Sequence, residues 1–453
     1  MKKILAGVAL IGSAVSAQAA DLAVKAPYLK APVAAVYDWT GFYIGANVGA
    51  GLGRGLQTHT FPTGGVVNTT YLSPQGVIGG GQIGYNWQSN TTFLGPLLIG
   101  VEADIQGSGM SDGHTTLNTL NGVLGTVNYN QKLDWFTTVR GRIGLVRGPV
   151  VGYFTGGFAA ANVKTTVTEV GLVPFALSET RTGWTIGSGV EAAIGGNWTG
   201  KIEYLYLDLG NRNDVFGTQT LRTEYRESIF RVGLNYRIGG TGMYITPPPA
   251  NWAGLYLGGN FGGAIGRNRS TASIGGFTEQ FNLSPDGYVG GGQIGYNWQA
   301  ANWVFGAEAD FQGSTQKDDR TAVFGSAALY NQKLPWFGTA RARLGYSVGS
   351  TLFYATGGYA YGNVKTNIVT TVSNETFNRT RSGYAVGAGI ETPFQLFGLL
   401  GPNWTTKSEY LYVDLGSTTD GFAGTGVTTS KVTEHMLRTG INYHFNQPVV
   451  AKY

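Results

Sequence analysis

The decapeptide GGGQIGYNWQ occurs at 79–88 and again at 290–299, and its first six residues satisfy G-x-G-x-x-G. In a dinucleotide-binding turn such glycines let the backbone approach a pyrophosphate, and an acid about 20 residues further on takes a ribose hydroxyl. Glu102, 18 residues after Gly84, stands near that place. The turn must also open a helix whose N-terminus faces the phosphates. Here YNWQSNTTFLGP follows instead, and Ile83, Tyr85 and Trp87 alternate with Gln82, Gly84, Asn86 and Gln88. That is the period of a strand. The glycines are expected to relieve crowding in a narrow, bent wall, so that Gly81→Val hinders assembly. GGTGMY at 239–244 and the other Gly-rich pieces have no P-loop lysine after them and read as turns.

Acid–base or metal chemistry has little to draw on. There is no cysteine, and the four histidines, His59, His114, His435 and His444, are scattered. Asp112 lies two residues before His114, the nearest approach to a catalytic pair. Both His59 and His114 read as residues of outer loops, and neither is matched in the second half of the chain. The sequence calls for no enzyme, no metal and no cofactor.

The remaining polar candidates are charges placed at every second residue. In WFTTVRGRIGLV, Trp135, Val139, Ile143 and Leu145 share one face while Arg140 and Arg142 occupy the other. Ile99, Val101, Ala103 and Ile105 likewise oppose Glu102, Asp104 and Gln106, and Trp184, Ile186 and Val190 oppose Glu191. Lys201, Glu203, Arg231 and Asn235 complete a polar set. Glu308, Asp310, Arg341, Arg343, Glu391, Lys407, Glu409, Arg438 and Asn442 repeat it.

The repetition is general. WTGFYIGANVGAGLG from Trp39 recurs as WAGLYLGGNFGGAIG from Trp252, YNQKLDWFTTVRGRIG as YNQKLPWFGTARARLG, and IEYLYLDLG as SEYLYVDLG. Two units follow, 37–240 and 252–446, joined by a Pro-rich linker at 241–251 on the periplasmic side, with a tail at 447–453. The N-terminus, Met1-Lys2-Lys3 followed by an apolar run and Ala17-Gln18-Ala19, reads as a cleavable signal peptide over 1–19. Residues 20–36 form a flexible lead-in. The formal charge of +5 drops to +3 without Lys2 and Lys3, too small an excess to indicate nucleic acid. The 73 glycines, 13% aromatics and 13% charged residues suit strands, turns and an apolar surface.

Each unit predicts eight strands, in the first at about 41–54, 76–88, 97–108, 132–147, 150–165, 180–194, 198–209 and 228–238. Short turns alternate with longer loops rich in Gly, Asn and Thr, the pattern of a bacterial outer-membrane barrel. Most strands reach the ~9–11 residues needed to cross the hydrocarbon. One face of the wall then meets lipid and the other lines a lumen that eight strands leave just wide enough for side chains. Buried charges must pair there. Four acids (Glu102, Asp104, Glu191, Glu203) balance four bases (Arg140, Arg142, Lys201, Arg231). In a soluble barrel the charged face would be solvated, and the apolar face would have to fill a ligand cavity. The tryptophans favour the membrane. Trp39, Trp87 and Trp198 mark the short-turn level and Trp135 and Trp184 the other. Trp252, Trp298, Trp303 and Trp404 repeat the first level and Trp336 the second, with Tyr384 in place of the last, as in aromatic girdles.

With W-x-G-x-Y-x-G opening each unit, GGGQIGYNWQ, VRGRIG, YLYLDLG and a Tyr-rich closing strand, the chain resembles the alphaproteobacterial outer-membrane β-barrel surface antigens. These are similar to small OmpA/OmpX-like barrels. RTGINYHF at 438–445 looks like the C-terminal signal read by the outer-membrane insertion machinery. Eight residues follow Phe445 where such chains often stop, and the unit is duplicated where the family usually has one. The resemblance implies a structural and surface role in the outer membrane, in contact with its lipid and lipopolysaccharide and with the assembly machinery during insertion.

The fold class is therefore all-β, a transmembrane antiparallel barrel. Charges balanced within each unit, and the Pro-rich linker, favour two eight-stranded barrels over one sixteen-stranded barrel enclosing an aqueous channel. The alternative function is a porin for small hydrophilic solutes, with Arg140, Arg142, Glu102 and Asp104 setting selectivity. A weaker one is adhesion or phage reception through outer loops.

Overall fold

The computed structural model describes residues 37–61, 66–90, 95–120, 123–169, 174–216, 218–239, 248–323, 328–394, 400–423 and 425–445. The expected signal peptide and lead-in, most of the linker and the C-terminal tail lie outside the described residues. Among those described there are twenty strands and no helix. The first unit contains β1 (Gly41–Phe61), β2 (Val66–Leu72), β3 (Gln75–Ser89), β4 (Leu97–Ser108), β5 (Ser111–Leu120), β6 (Val123–Arg147), β7 (Val150–Glu169), β8 (Phe175–Gly195), β9 (Trp198–Phe216) and β10 (Gln219–Ile238). The second contains β11 (Gly254–Gly266), β12 (Asn268–Ile274), β13 (Phe277–Leu283), β14 (Asp286–Ala300), β15 (Trp303–Val323), β16 (Ala328–Val348), β17 (Thr351–Thr370), β18 (Asn374–Pro393), β19 (Trp404–Phe422) and β20 (Gly426–His444).

Each unit closes on itself. β1 pairs with β10 from Phe42↔Ile238 to Thr60↔Thr220, completing the antiparallel ring β1-β3-β4-β6-β7-β8-β9-β10. β11 pairs with β20 from Tyr256↔His444 to Gly266↔Glu434, completing β11-β14-β15-β16-β17-β18-β19-β20. The structure is thus two eight-stranded barrels, and the sixteen-stranded alternative is not realised. Tight turns such as Gly148 (φ +57°) and Gly196 (φ +55°) join strands at one end, where the left-handed backbone suits glycine.

Alternation sorts the side chains as the sequence predicts. Val77, Ile105 and Phe154 are 68%, 63% and 70% exposed on the outer wall, while Tyr43, Glu102 and Arg140 point inward and are buried. The strands run well past the aromatic levels, however. β6 has 25 residues, far more than a membrane crossing needs. The segments expected to be long polar loops are largely strand. β1 and β2 form a hairpin register from Gly55↔Leu72 to Phe61↔Val66, and β5 pairs with β6 from Ser111↔Lys132 onward. This extension has its own interior, with Leu72, Val127, Tyr129, Val167 and Leu221 clustered in the first unit. Ala272, Phe281, Leu283, Tyr330 and Ile368 form its counterpart in the second. His59 and His114, expected in loops, are buried strand residues. His59 Nδ1 lies 3.1 Å from the Tyr129 hydroxyl, and His114 Nε2 bonds the Thr70 hydroxyl.

The glycine expectation needs correcting by one residue. Gly81 faces outward, and an added Cβ would meet only Gly45 O at 3.7 Å. Gly80 faces inward, where a Cβ would lie 2.0 Å from Ile105 O, a backbone atom of the neighbouring strand. At Gly84 it would lie 2.3 Å from the Tyr43 hydroxyl, and at Gly295 2.3 Å from that of Tyr256. Tyr43↔Gly84 and Tyr256↔Gly295 are direct cross-strand partners. The glycines make room for lumen tyrosines.

The barrels also meet each other. Ser73 Oγ lies 3.3 Å from Ser284 Oγ, Arg54 reaches Asp286 and Asp318 at 3.5 Å each, and Arg269 pairs with Asp112. Lower down the walls, the Phe230 and Tyr410 rings are 5.1 Å apart.

Two outcomes follow. Gly80→Val should abolish the folded, heat-modifiable species on a gel whereas Gly81→Val should leave it intact; equal mobility of the two variants would remove the crowding account. Burial pushes the His59 imidazole below its ordinary value. Its stabilising contribution is therefore complete above the unfolded pKa of about 6.5 and is lost progressively as pH falls from there through the lower folded value. Amide protection factors in β1 and β2, normalised to the intrinsic exchange rate at each pH, should fall between pH 7.5 and 5, and His59→Gln should flatten that fall; the same fall in both proteins would assign it to other groups.

Candidate functional site

The site is the inside of each barrel, and its members come from strands on opposite walls. β6 carries Arg140 and Arg142 two residues apart, so both enter the lumen. β4 supplies Glu102 and Asp104, β9 Lys201 and Glu203, β8 Glu191 and β10 Arg231. Arg140 bonds Glu102 and lies 2.8 Å from Asp104 on the adjacent strand, and it crosses the lumen to Glu203 at 3.1 Å. Arg142 reaches Glu191 at 2.7 Å, and Lys201 reaches Glu102 at 3.0 Å. Arg231 holds Asp104 at 3.0 Å and Glu203 at 2.5 Å. Their side chains are at most 3% exposed.

Neutral partners, which the charge pattern alone does not reveal, complete the shell. Tyr43 donates to Glu102 at 2.8 Å and accepts from Arg142 at 2.9 Å. Tyr153 donates to Glu203 at 2.9 Å, Thr138 to Asp104 at 2.7 Å, and Thr199 and Asn235 to Glu191 at 2.5 and 2.8 Å. The Arg142 guanidinium lies 4.0 Å from the centre of the Tyr153 ring. The cross-strand glycine opposite each tyrosine was the available sequence signal.

The second barrel repeats the construction. Arg341 pairs with Glu308, Asp310 and Glu409 at 2.5, 3.0 and 3.2 Å. Arg343 pairs with Glu391 at 2.8 Å and Lys407 with Glu308 at 2.9 Å. Arg438 holds Asp310 at 2.9 Å and Glu409 at 2.6 Å. The base of the lumen differs. His444 lies 3.3 Å from Glu391, where the first barrel has Arg237, 4.8 Å from the Tyr37 ring centre.

Two residues assigned to the girdle are elsewhere. Trp39 and Trp252 are 1% and 0% exposed and floor the lumens. The Trp39 indole N–H donates to Gly148 O at 3.2 Å and that of Trp252 to Ser347 Oγ at 3.0 Å. Both precede their first strand, where the chain turns beneath the barrel and the ring caps it. Trp87, Trp198, Trp298 and Trp303 are exposed on the short-turn rim, with Trp404 half-buried. Trp135 and Trp184 are exposed at the other level, with Trp336 half-buried and Tyr384 exposed.

Chemically this arrangement clamps. Each of these eight carboxylates, four per barrel, has at least two donors, and each of the eight bases at least one carboxylate, so each barrel carries a neutral set of eight charges. Coulombic attraction in a buried interior offsets the desolvation cost only while the set is complete. Arg231→Met strips Asp104 and Glu203 of a partner and should cost about 3–5 kcal/mol, read as a lower urea midpoint of the folded barrel. Arg226→Met, which breaks the exposed pair with Asp208 at 3.4 Å, should cost no more than about 1 kcal/mol. Matching midpoints for the two would show that the network does not hold the barrel.

The comparisons with known proteins agree with this architecture. A family model described as outer membrane protein beta-barrel domain matches residues 7–237 and again 241–445. The 31 kDa outer-membrane immunogenic protein of Brucella melitensis is 40% identical over 210 residues, covering 43% of this chain and 84% of that protein. The 25 kDa outer-membrane immunogenic protein of the same organism is 30% identical over 237 residues, covering 52% and 96%. The 22 kDa outer membrane protein of Rhizobium leguminosarum is 33% identical over 202 residues, covering 44% and 80%. Each relative aligns with about half of this chain, the length of one barrel. With a matching model over both units, two closed rings and an apolar outer band, the chain belongs to the outer membrane protein β-barrel domain family in two copies and resides in the outer membrane.

Proposed function

We propose that the protein is a structural surface component of the outer membrane. Its two domains, 37–240 and 252–446, act as plugged anchors that brace the envelope and present strand extensions and outer turns to the exterior. The observation that carries this reading is the interior: the charges that would line a channel are locked to one another across both lumens. Arg140, Arg142, Glu102 and Asp104, the residues a porin would use for selectivity, are committed to partners. The immunogenic relatives support display at the surface. Asp112, the acid nearest His114 in sequence, is taken by Arg269, Asn282 and the Ser73 N–H, which supports a non-catalytic role. The closing strand β20 is the segment we assign to recognition by the insertion machinery, and lipopolysaccharide surrounds the outer ends.

In a planar bilayer the full chain should show no large, stable open state. Intact cells should react with antibody against the β19–β20 turn. A steady conductance that Arg140→Ala enlarges would favour the porin reading, and antibody reaction only after cell rupture would remove surface display.

A further inference from the structure

The two barrels are held together along only part of their length. The Ser73–Ser284 and Arg269–Asp112 contacts join the outer ends, and Phe230 meets Tyr410 lower down the walls. Nearer the short turns Ile202, Ile390 and Phe353 still pack together. Beside that seam, and continuous with it, the walls part to leave a groove of about 730 Å³.

Outward-facing side chains line it: Ala46 and Leu234 on the first barrel, Trp303, Leu344, Tyr346 and Ala355 on the second. Its depth follows from the register. Trp303 pairs with Tyr346 at the short-turn rim, and Ala46↔Leu234 lies one outward pair above Ile44↔Tyr236. The groove therefore starts at the aromatic rim and rises into the hydrocarbon on the short-turn side, which is periplasmic in barrels of this type.

Above the Trp303 and Tyr346 rim water finds few partners, because the outward side chains are apolar and the backbone groups of both walls are paired within closed ladders. Rigid protein cannot close the gap while the outer ends fix the separation. A flexible, unbranched hydrocarbon can fill it and regain the dispersion contacts that a gap forfeits. The volume is that of an ordinary small-molecule site. We propose that this groove is a lipid-binding site that retains the acyl chains of a phospholipid from the periplasmic leaflet. The glycerophosphate head lies at the Trp303 rim.

The test is native mass spectrometry of the full-length protein, extracted from outer membranes and exchanged through delipidating detergent, with lipid identified by fragmentation. Wild type should carry phospholipid through exchange. Ala46→Trp and Ala355→Trp, which fill the groove from opposite walls, should each lower the bound amount several-fold. Ala103→Trp, on the outer face of β4 away from the groove, should leave it unchanged. Heat-modified mobility checks that each variant is folded, and either groove variant alone suffices if the other does not fold. Lipid-free wild type, equal retention by all variants, or lipopolysaccharide as the retained lipid would each overturn the proposal.

Discussion

A strand in hydrocarbon has two edges, and each is a row of N–H and C=O groups that lipid cannot satisfy. Everything else in this molecule follows from how those edges are removed. Each unit removes them by joining its last strand to its first, over the long registers of β1 with β10 and β11 with β20. Closure at eight strands fixes a lumen narrow enough that side chains must fill it. At the level of Arg140 and Arg341 that lumen holds its charges as a mutually paired set. The inward glycines belong to the same chain of causes, since Tyr43 and Tyr256 could not reach Glu102 and Glu308 past a Cβ at Gly84 or Gly295.

The strand faces and the lumen charges were legible because period-two alternation is a local property, and a charge between apolar neighbours announces its side of the wall. Two misreadings came from letting residue type override that alternation. Trp39 shares the parity of Tyr43 and Asn47, which are inward, yet tryptophan suggests a membrane interface. Gly81 shares the parity of Ile83 and Tyr85, which are outward, yet the motif suggested that all its glycines act alike. Parity alone places Trp39 in the floor and moves the crowded site to Gly80.

The outer extensions were obscured for a different reason. In LQTHTF the inward members are Gln57 and His59, polar residues that read as loop. They become strand because β2 and β10 lie on either side of β1 and satisfy its backbone, and because Leu72, Val127 and Leu221 supply an interior that no single segment displays. Long-range pairing decides such segments, and a single window cannot show it.

The duplication adds a constraint that one barrel would not face. A polar side chain on the outer wall is costly in lipid, but β10 and β20 carry Ser228 and His435 there. Both are buried, each at 6% exposure. Ser228 Oγ lies 3.2 Å from the Tyr204 hydroxyl, and His435 Nδ1 lies 2.7 Å from that of Tyr410. Phe230 of the first barrel stacks against His435 of the second, with ring centres 6.4 Å apart. The equivalent positions 228 and 435 therefore escape lipid by facing the other barrel. The eight paired lumen charges are repeated unchanged between the units, whereas these wall positions differ, Ser against His and Phe230 against Leu437. Two closed barrels have no open edge through which to recognise each other, so what pairs them must be written on their outer faces, and these wall positions differ between the two copies.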